Sequence, residues 1–169
     1  MENMMRNTKT FILEWRPAIS SYKMADFEEE LAHIDDAWFN WSVWDWKEAD
    51  EGDEFYLIKC GEGSTGIVMH GVITSEPYQD EDWSGQGRVV YYADLEPDIM
   101  IHPDKCRLLT TEALETAMPD FQWNGGHSGR VLSEEYADKL RQMWQEYLAM
   151  NDDFFNGDGR AVRKSDEDY

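Results

Sequence analysis

Residues 52–82 constrain the fold more than any other stretch of the chain. A Gly-Asp turn at positions 52 and 53 leads into a short apolar run, rich in strand-forming residues, at positions 55–60. Glycine and serine at positions 61–64 mark a second turn, and a longer β-type run follows at positions 66–74. The second run is too apolar for a solvent-exposed edge, so the pattern predicts a hairpin at the centre of a sheet.

Segments on both sides of this hairpin carry further strand signals. Residues 8–15 predict a strand that ends before Pro17, because the residue before a proline resists helical geometry. Its position makes this strand a sheet partner for the hairpin. Residues 88–95 predict another strand, whereas residues 98–102 lie between two prolines and predict a short irregular or edge segment.

Helical signals occur in three places. Asp26 followed by Glu29 matches a capping box, which predicts that Asp26 is the N-cap of the first helix. The last helix has Ser133 as its cap and a stripe of apolar residues at helical spacing. The predicted helices lie at residues 26–34, 112–118 and 133–150.

The length of 169 residues corresponds to one domain, which we expect to span residues 1–155. Residues 156–169 mix charge with glycine without any period, and they predict a flexible charged tail. No apolar run reaches the ~20 residues that cross a bilayer. Two cysteines are too few for a disulfide scaffold. We therefore expect a cytoplasmic protein with reduced thiols and no membrane partner.

Acidic residues dominate the composition. The chain has 36 acidic and 15 basic residues, a net charge of −21, and residues 26–54 alone hold twelve acids and one lysine. Such a surface repels the phosphate backbone of a duplex unless the basic residues cluster elsewhere. The charge is typical of a solvated face. It also leaves open an acidic docking surface for a basic protein partner, or a nucleic-acid mimic.

Residues 38–46 read WFNWSVWDW, with four tryptophans and one phenylalanine in nine positions. The spacing fits a tight helical turn as well as a strand, so periodicity does not decide between them. Tryptophans in such a cluster either pack in the core or line a cavity and stack on a flat ligand. Stacking of a base on an aromatic ring contributes roughly 1–3 kcal/mol.

Motifs for catalysis or metal binding are absent from the sequence. His102, Asp104 and Cys106 form a local cluster without the second ligand pair that a zinc site needs. No nucleophile elbow occurs, and the glycine-rich residues 124–129 lack the spacing of a phosphate-binding loop. We therefore expect no metal and no cofactor, and we name no catalytic residue.

Several motifs resemble those of the PUA-like superfamily, and EVE domains most closely. They are the tryptophan cluster, GDEFYLI, GIVMHGVITSEPYQD, RVVYYAD and WNGGHSG before the last helix. The similarity runs over residues 8–148. It implies an α+β fold, a PUA-like open β-barrel of about five or six strands with flanking helices.

The resemblance also implies a function. PUA-like proteins and their YTH relatives commonly bind a modified or flipped-out nucleobase in an aromatic pocket, and related ASCH members include hydrolases. A base needs a π face and a few hydrogen-bonding groups at its edge. The resemblance implies a pocket walled by Glu14, Trp15, Arg16, Trp41, Trp44, Ser75, Trp123 and Ser128.

Three functions are compatible with these observations. The first is a non-catalytic binding module that recognises a modified or flipped-out nucleobase, in a nucleoside or a nucleic acid. The second is an acidic protein-interaction factor of the immunity, antitoxin or nucleic-acid-mimic kind. The third is a small ASCH-type hydrolase. Relatives that bind nucleic acid carry basic residues around the pocket, and this chain has few basic residues. The ligand could therefore be a nucleoside, a nucleotide fragment or a protein partner.

Overall fold

A curled mixed sheet runs through the part of the chain that the computed structural model describes, residues 8–81, 89–151 and 159–164. Within these ranges the strands are β1 (Thr10–Trp15), β2 (Phe39–Ser42), β3 (Glu54–Lys59), β4 (Gly66–Ile73), β5 (Tyr78–Glu81), β6 (Val89–Ile101), β7 (Leu109–Thr110), β8 (Arg130–Val131) and β9 (Arg160–Val162). The main path is β2-β6-β4-β3-β1-β8. Strands β5 and β9 pair with β6, and β7 pairs with β4.

The predicted hairpin, β3 and β4, lies at the centre of this path, which confirms the prediction. The two strands pair antiparallel, β6 continues the sheet beyond β4, and β1 pairs with β3 in parallel. All residues of β3 after Glu54 are buried. Gly71 in β4 lies so close to the Glu96 carbonyl and the Phe55 ring that a Cβ at this position would overlap both. The close packing of the central strands therefore requires glycine there.

The two ends of the path meet, and this closure positions the candidate site. The N–H of Trp44, just after β2, donates to the Ser128 carbonyl at 3.1 Å, and the Asp45 N–H donates to the Gly129 carbonyl at 3.0 Å. The Asp45 carboxylate in turn accepts from the Val131 N–H of β8 at 2.8 Å. These bonds join the β2 end of the sheet to the β8 end along a line that we call the seam.

Three helices occur among the described residues, α1 (Met24–Ala32), α2 (Thr111–Ala117) and α3 (Glu134–Met150). The prediction for α3 is confirmed, with the Ser133 side chain accepting from the Tyr136 N–H. Helix α1 begins two residues before the predicted N-cap. Asp26 lies in its first turn and accepts from the Lys23 N–H at 2.8 Å. None of the described helices is long and apolar enough to cross a membrane.

Two segments differ from the sequence predictions. Residues 98–101, predicted to be irregular or an edge, form the end of the 13-residue strand β6. Pro97 fits inside this strand because the register with β4 shifts between His70 and Gly71. Part of the expected flexible tail, Arg160–Val162, is strand β9, and the Arg163 side chain donates to the Pro97 carbonyl at 2.8 Å. Residues 152–158 and 165–169 lie outside the described ranges.

Candidate ligand-binding site

A cavity of about 500 Å³ opens at the seam, between the end of β1, the segment that follows it, β2 and the glycine-rich segment before β8. This volume lies within the ~300–1,000 Å³ typical of small-molecule sites. The residues that line it include Glu14, Trp15, Arg16, Tyr22, Phe39, Asn40, Trp41, Ser42 and Ser128.

Three aromatic rings form one wall, which we call the aromatic corner: Tyr22, Phe39 and Trp41. The rings of Tyr22 and Phe39 lie parallel, 5° apart with centroids separated by 5.4 Å. The Trp41 indole stands perpendicular to both, at 86° and 88°. The Phe39 ring also packs edge-on against buried Phe55, which fixes the corner to the core. Such an arrangement presents flat apolar surfaces in two orientations to a planar ligand.

Trp15 supports the aromatic corner from below. It is fully buried at the end of β1, and its indole packs on Phe27 of α1 with ring centroids 5.4 Å apart. Its Nε1–H donates to the Tyr22 carbonyl at 2.7 Å. The sequence between Trp15 and Tyr22 is therefore held as a short loop at the cavity mouth, and Trp15 contributes positioning more than exposed surface.

Ser128 connects the aromatic corner to β1. Its Oγ accepts from the Trp41 Nε1–H at 2.9 Å and from the Glu14 backbone N–H at 2.8 Å. Neither bond uses the proton of the hydroxyl, which can therefore be donated to a ligand atom. Gly129 holds Ser128 in place, because a Cβ at Gly129 would collide with the backbone of residues 42–44 and its φ of +86° suits glycine.

Glu14 supplies a titratable carboxyl group at the cavity. Its side chain is 6% exposed, and it accepts from the Gly125 N–H at 2.7 Å and from the Arg130 guanidinium at 3.2 Å. Burial raises the pKa of Glu14 to about 7, although the Gly125 N–H and Arg130 oppose the shift. Near neutral pH this group therefore exists both as an acid, which donates a hydrogen bond, and as a carboxylate, which only accepts.

Arg16 is exposed at the rim and is the one basic residue among the described residues that line the cavity. Within the described part of the chain its guanidinium makes no salt bridge. An unpaired guanidinium can bind a phosphate or the edge of a base through parallel N–H groups. The mouth of the cavity is therefore less negative than the net charge of the chain suggests.

The cavity brings together five of the eight residues that the resemblance implied, namely Glu14, Trp15, Arg16, Trp41 and Ser128. The other three lie elsewhere. Trp123 is fully buried in the core with its Nε1–H donating to the Met118 carbonyl. Ser75 accepts from the Asp94 N–H at 3.0 Å and does not line the cavity. Trp44 is exposed and stacks on His127.

Tyr22 and Phe39 were missed at the sequence level. Phe39 belongs to the tryptophan-rich stretch, so its aromatic character was a usable signal once that stretch was known to contain a strand. Tyr22 follows two serines in a loop, where no periodicity indicates which way a side chain points.

The described residues contain no group of three or more histidine, cysteine or acidic side chains placed to hold a metal ion. His102, from the local cluster noted in the sequence, is buried and its Nε2 lies 2.7 Å from a Glu28 carboxylate oxygen. Its Nδ1 accepts from the Asp104 N–H at 3.1 Å. Both ring nitrogens are therefore engaged within the protein.

Solved structures share this fold. Human THYN1 in complex with 5-methylcytosine-containing DNA matches with a TM-score of 0.54 at 12% identity, over 80% of this chain and 97% of that chain. The chain has a PUA-like fold. A hypothetical protein from Leishmania major matches with a TM-score of 0.55 at 11% identity, over 83% of this chain and 97% of that chain.

Protein PSPTO5229 from Pseudomonas syringae also matches, with a TM-score of 0.52 at 14% identity over 79% of this chain and 98% of that chain. Comparisons with protein-family models and with curated protein sequences give no match. At these identities the likeness concerns the fold, and the predicted α+β PUA-like open barrel with flanking helices is confirmed.

Proposed function

We propose that this chain is a binding module that takes one nucleobase, modified or flipped out of its strand, into the cavity at the seam. The observation that carries the proposal is the combination of the aromatic corner with polar groups in one cavity of about 500 Å³. A base has two flat faces and an edge of donors and acceptors, and this cavity offers surfaces for both.

The apolar contacts would supply most of the affinity. A base that stacks on an exposed aromatic ring gains roughly 1–3 kcal/mol. Because the rings of Tyr22 and Phe39 are held parallel and Trp41 perpendicular, the surface is preorganised before a ligand enters. A methyl group on the base would add ~0.8 kcal/mol if fully buried, about fourfold in affinity. This apolar wall favours a methylated base over its unmodified counterpart.

The polar groups would supply selectivity among bases. The Ser128 hydroxyl can donate, and Glu14 can donate or accept according to pH. A base edge with the wrong pattern would leave one of these groups unpaired in a partly buried site, which costs about 1–3 kcal/mol. Arg16 at the rim can contact the phosphate or sugar that remains outside.

The fold of human THYN1, whose structure was determined with 5-methylcytosine-containing DNA, supports the choice of ligand class. The net charge of −21 favours a nucleoside or a short single strand over a long duplex, because the chain has few basic residues to neutralise phosphates. The acidic-interaction and hydrolase alternatives stay predictions of the sequence, and the described contacts add no observation in favour of either.

Removing the Trp41 ring tests the proposal. Unmodified and base-methylated nucleosides and short single-stranded oligonucleotides are titrated into 15N-labelled protein, with shifts followed by NMR. We expect Trp41→Ala to weaken binding about tenfold or more, because it removes the perpendicular wall and the bond to Ser128. Trp38→Ala is the matched control, since Trp38 is 62% exposed just before β2 and does not line the cavity.

Two outcomes would overturn the proposal. One is that no ligand in the panel shifts any resonance of the wild-type protein at millimolar concentration. The other is that Trp41→Ala and Trp38→Ala bind as tightly as the wild type.

A further inference from the structure

We propose that the exposed face of Trp44 is a second stacking site, which binds the base adjacent to the one in the cavity when the ligand is a single-stranded nucleic acid. This inference rests on the proposed function and extends it, because it specifies a strand as the ligand where the cavity alone would accept a free nucleoside.

The indole of Trp44 is presented as a flat platform. It stacks on the His127 imidazole with ring centroids 3.5 Å apart and planes 5° apart, so one face is covered. The residue is nevertheless 57% exposed, which leaves the opposite face open to solvent. An exposed tryptophan backed by a parallel ring has little freedom to turn, and its open face keeps one orientation. Such faces bind bases with little preference for sequence.

Trp44 is attached to the wall of the cavity. Its N–H donates to the Ser128 carbonyl at 3.1 Å, while the Ser128 side chain faces the cavity. Ser42 lines the cavity and Trp44 lies two residues further along the chain, at most ~7 Å away by Cα positions. The platform and the cavity therefore belong to one rigid unit, close enough for neighbouring bases of one strand.

The charges around the platform permit a phosphate to pass. Asp45 is engaged by the Val131 N–H at 2.8 Å, and Glu48 pairs with Lys9 at 3.4 Å. Exposed Lys47, three residues after Trp44, has its ammonium group 5.6 Å from the centroid of the Trp46 ring, and exposed Arg16 lines the cavity.

Trp38 shows that exposure of a tryptophan does not by itself make a platform. It is 62% exposed at the opposite end of β2, and within the described residues its ring stacks on no other aromatic ring. The two residues have the same chemistry and similar exposure, and they differ in that, in the described part of the chain, only Trp44 is backed by a parallel ring, that of His127. They form a matched pair for mutation.

The test compares one nucleotide with three. Base-methylated and unmodified mononucleotides, and single-stranded DNA and RNA trinucleotides with the same central bases, are titrated by NMR into wild-type, Trp44→Ala, Trp44→Phe and Trp38→Ala proteins. We expect trinucleotides to bind about tenfold more tightly than the matching mononucleotides. Trp44→Ala should remove this gain without changing mononucleotide affinity, Trp44→Phe should keep part of it, and Trp38→Ala should keep all of it.

Each other outcome overturns the inference in a recognisable way. If mononucleotides bind and trinucleotides bind no better, or if Trp44→Ala lowers both affinities equally, the second stacking site is wrong and the proposed function stands. If no nucleotide of either length binds the wild-type protein at millimolar concentration, both fail together.

Discussion

Two buried carboxylates on neighbouring strands, Glu14 in β1 and Glu54 in β3, have opposite properties. Their side chains are 6% and 12% exposed. Burial raises the pKa of Glu14 to about 7. Burial acts in the same direction on Glu54, but hydrogen bonds from His70, Arg141 and Thr10 outweigh it and lower the pKa of Glu54 to about 2. Burial is similar at the two sites, and the difference lies in the charge of the partners. Glu54 pairs with two cationic groups, His70 and Arg141, whereas within the described residues Glu14 pairs with one, Arg130.

The contacts of Glu54 form a closed network on the face of the sheet next to α3. The His70 ring donates to Glu54 at 2.9 Å and to Asp98 at 2.8 Å, and the Arg141 guanidinium contacts Glu54 at 2.5 Å. The hydrogen bonds of His70 to Asp98 and Glu54 outweigh the effect of burial and raise the pKa of His70 to about 9. Every charge has a partner there, whereas Glu14 accepts from one guanidinium, one backbone N–H and the Cys60 thiol, whose Sγ lies 3.7 Å from Oε1. We infer that the Glu54 network stabilises the fold and that Glu14 remains available to a ligand.

The largest expected effect comes from breaking the Glu54 network. Glu54→Gln removes the negative charge that His70 and Arg141 share, and we expect it to lower the free energy of unfolding by about 3 kcal/mol. Urea denaturation at pH 7 measures the change. Glu29→Gln, on the exposed face of α1, is the matched control and should stay within about 0.5 kcal/mol of the wild type. Equal effects in the two variants would show that the network contributes nothing.

A smaller effect, of opposite sign, is expected at Glu14. Between its ordinary value of 4.5 and about 7 the folded chain holds a proton on Glu14 that the unfolded chain has released, so stability falls as pH rises through this window. Solvent at the cavity mouth screens part of this effect, which we expect to amount to ~2 kcal/mol. The side chain of the Glu14→Gln variant cannot ionise. The free energy of unfolding of the variant should therefore increase relative to that of the wild type as the pH rises through this window.

Urea denaturation at half-unit steps from pH 4 to pH 8 measures the Glu14 effect as the difference between the two proteins. Taking the difference removes contributions from other groups, and Glu29→Gln again serves as the control. A difference that does not change with pH would mean that Glu14 ionises in the folded protein as it does in water.

The smallest expected effect comes from two serine substitutions, which distinguish a residue that stabilises the fold from one that also binds the ligand. Ser128→Ala and Ser75→Ala each remove a hydroxyl that accepts from a backbone N–H, and each should lower the free energy of unfolding by ~1 kcal/mol. Only Ser128 faces the cavity and also accepts from Trp41. In the nucleoside titrations, Ser128→Ala should weaken binding several-fold and Ser75→Ala should leave it unchanged. The reverse order would place the ligand elsewhere.

Strand and helix positions were largely predictable because they depend on local signals. The run of residues 66–74 is mostly apolar, and six of the eight residues of strand β4 are buried. Ser133 with two acidic residues after it marked the start of α3. Strand β9 was not predictable, since three residues of ordinary composition form a strand only because β6 offers them an edge.

The composition of the cavity was predictable only in part. Trp41 and Trp123 are the same residue type next to polar neighbours, yet one lines the cavity and the other is fully buried. That difference arises from how the two ends of the sheet meet at the seam, and no periodicity in either segment reports on a closure between residues more than eighty positions apart. The charge state of Glu14 likewise depends on Gly125 and Arg130, which are distant in sequence.

The seam itself has a mechanical consequence. A few hydrogen bonds between residues 44–45 and 128–131 fasten the two borders of one long curved ribbon, and the candidate ligand would touch both borders at once. A bound ligand would stabilise this closure, because the two edges cannot separate at the seam without first releasing the ligand. We therefore expect the ligand-free protein to open locally at the seam before any central strand does, and we expect ligand binding to suppress this opening.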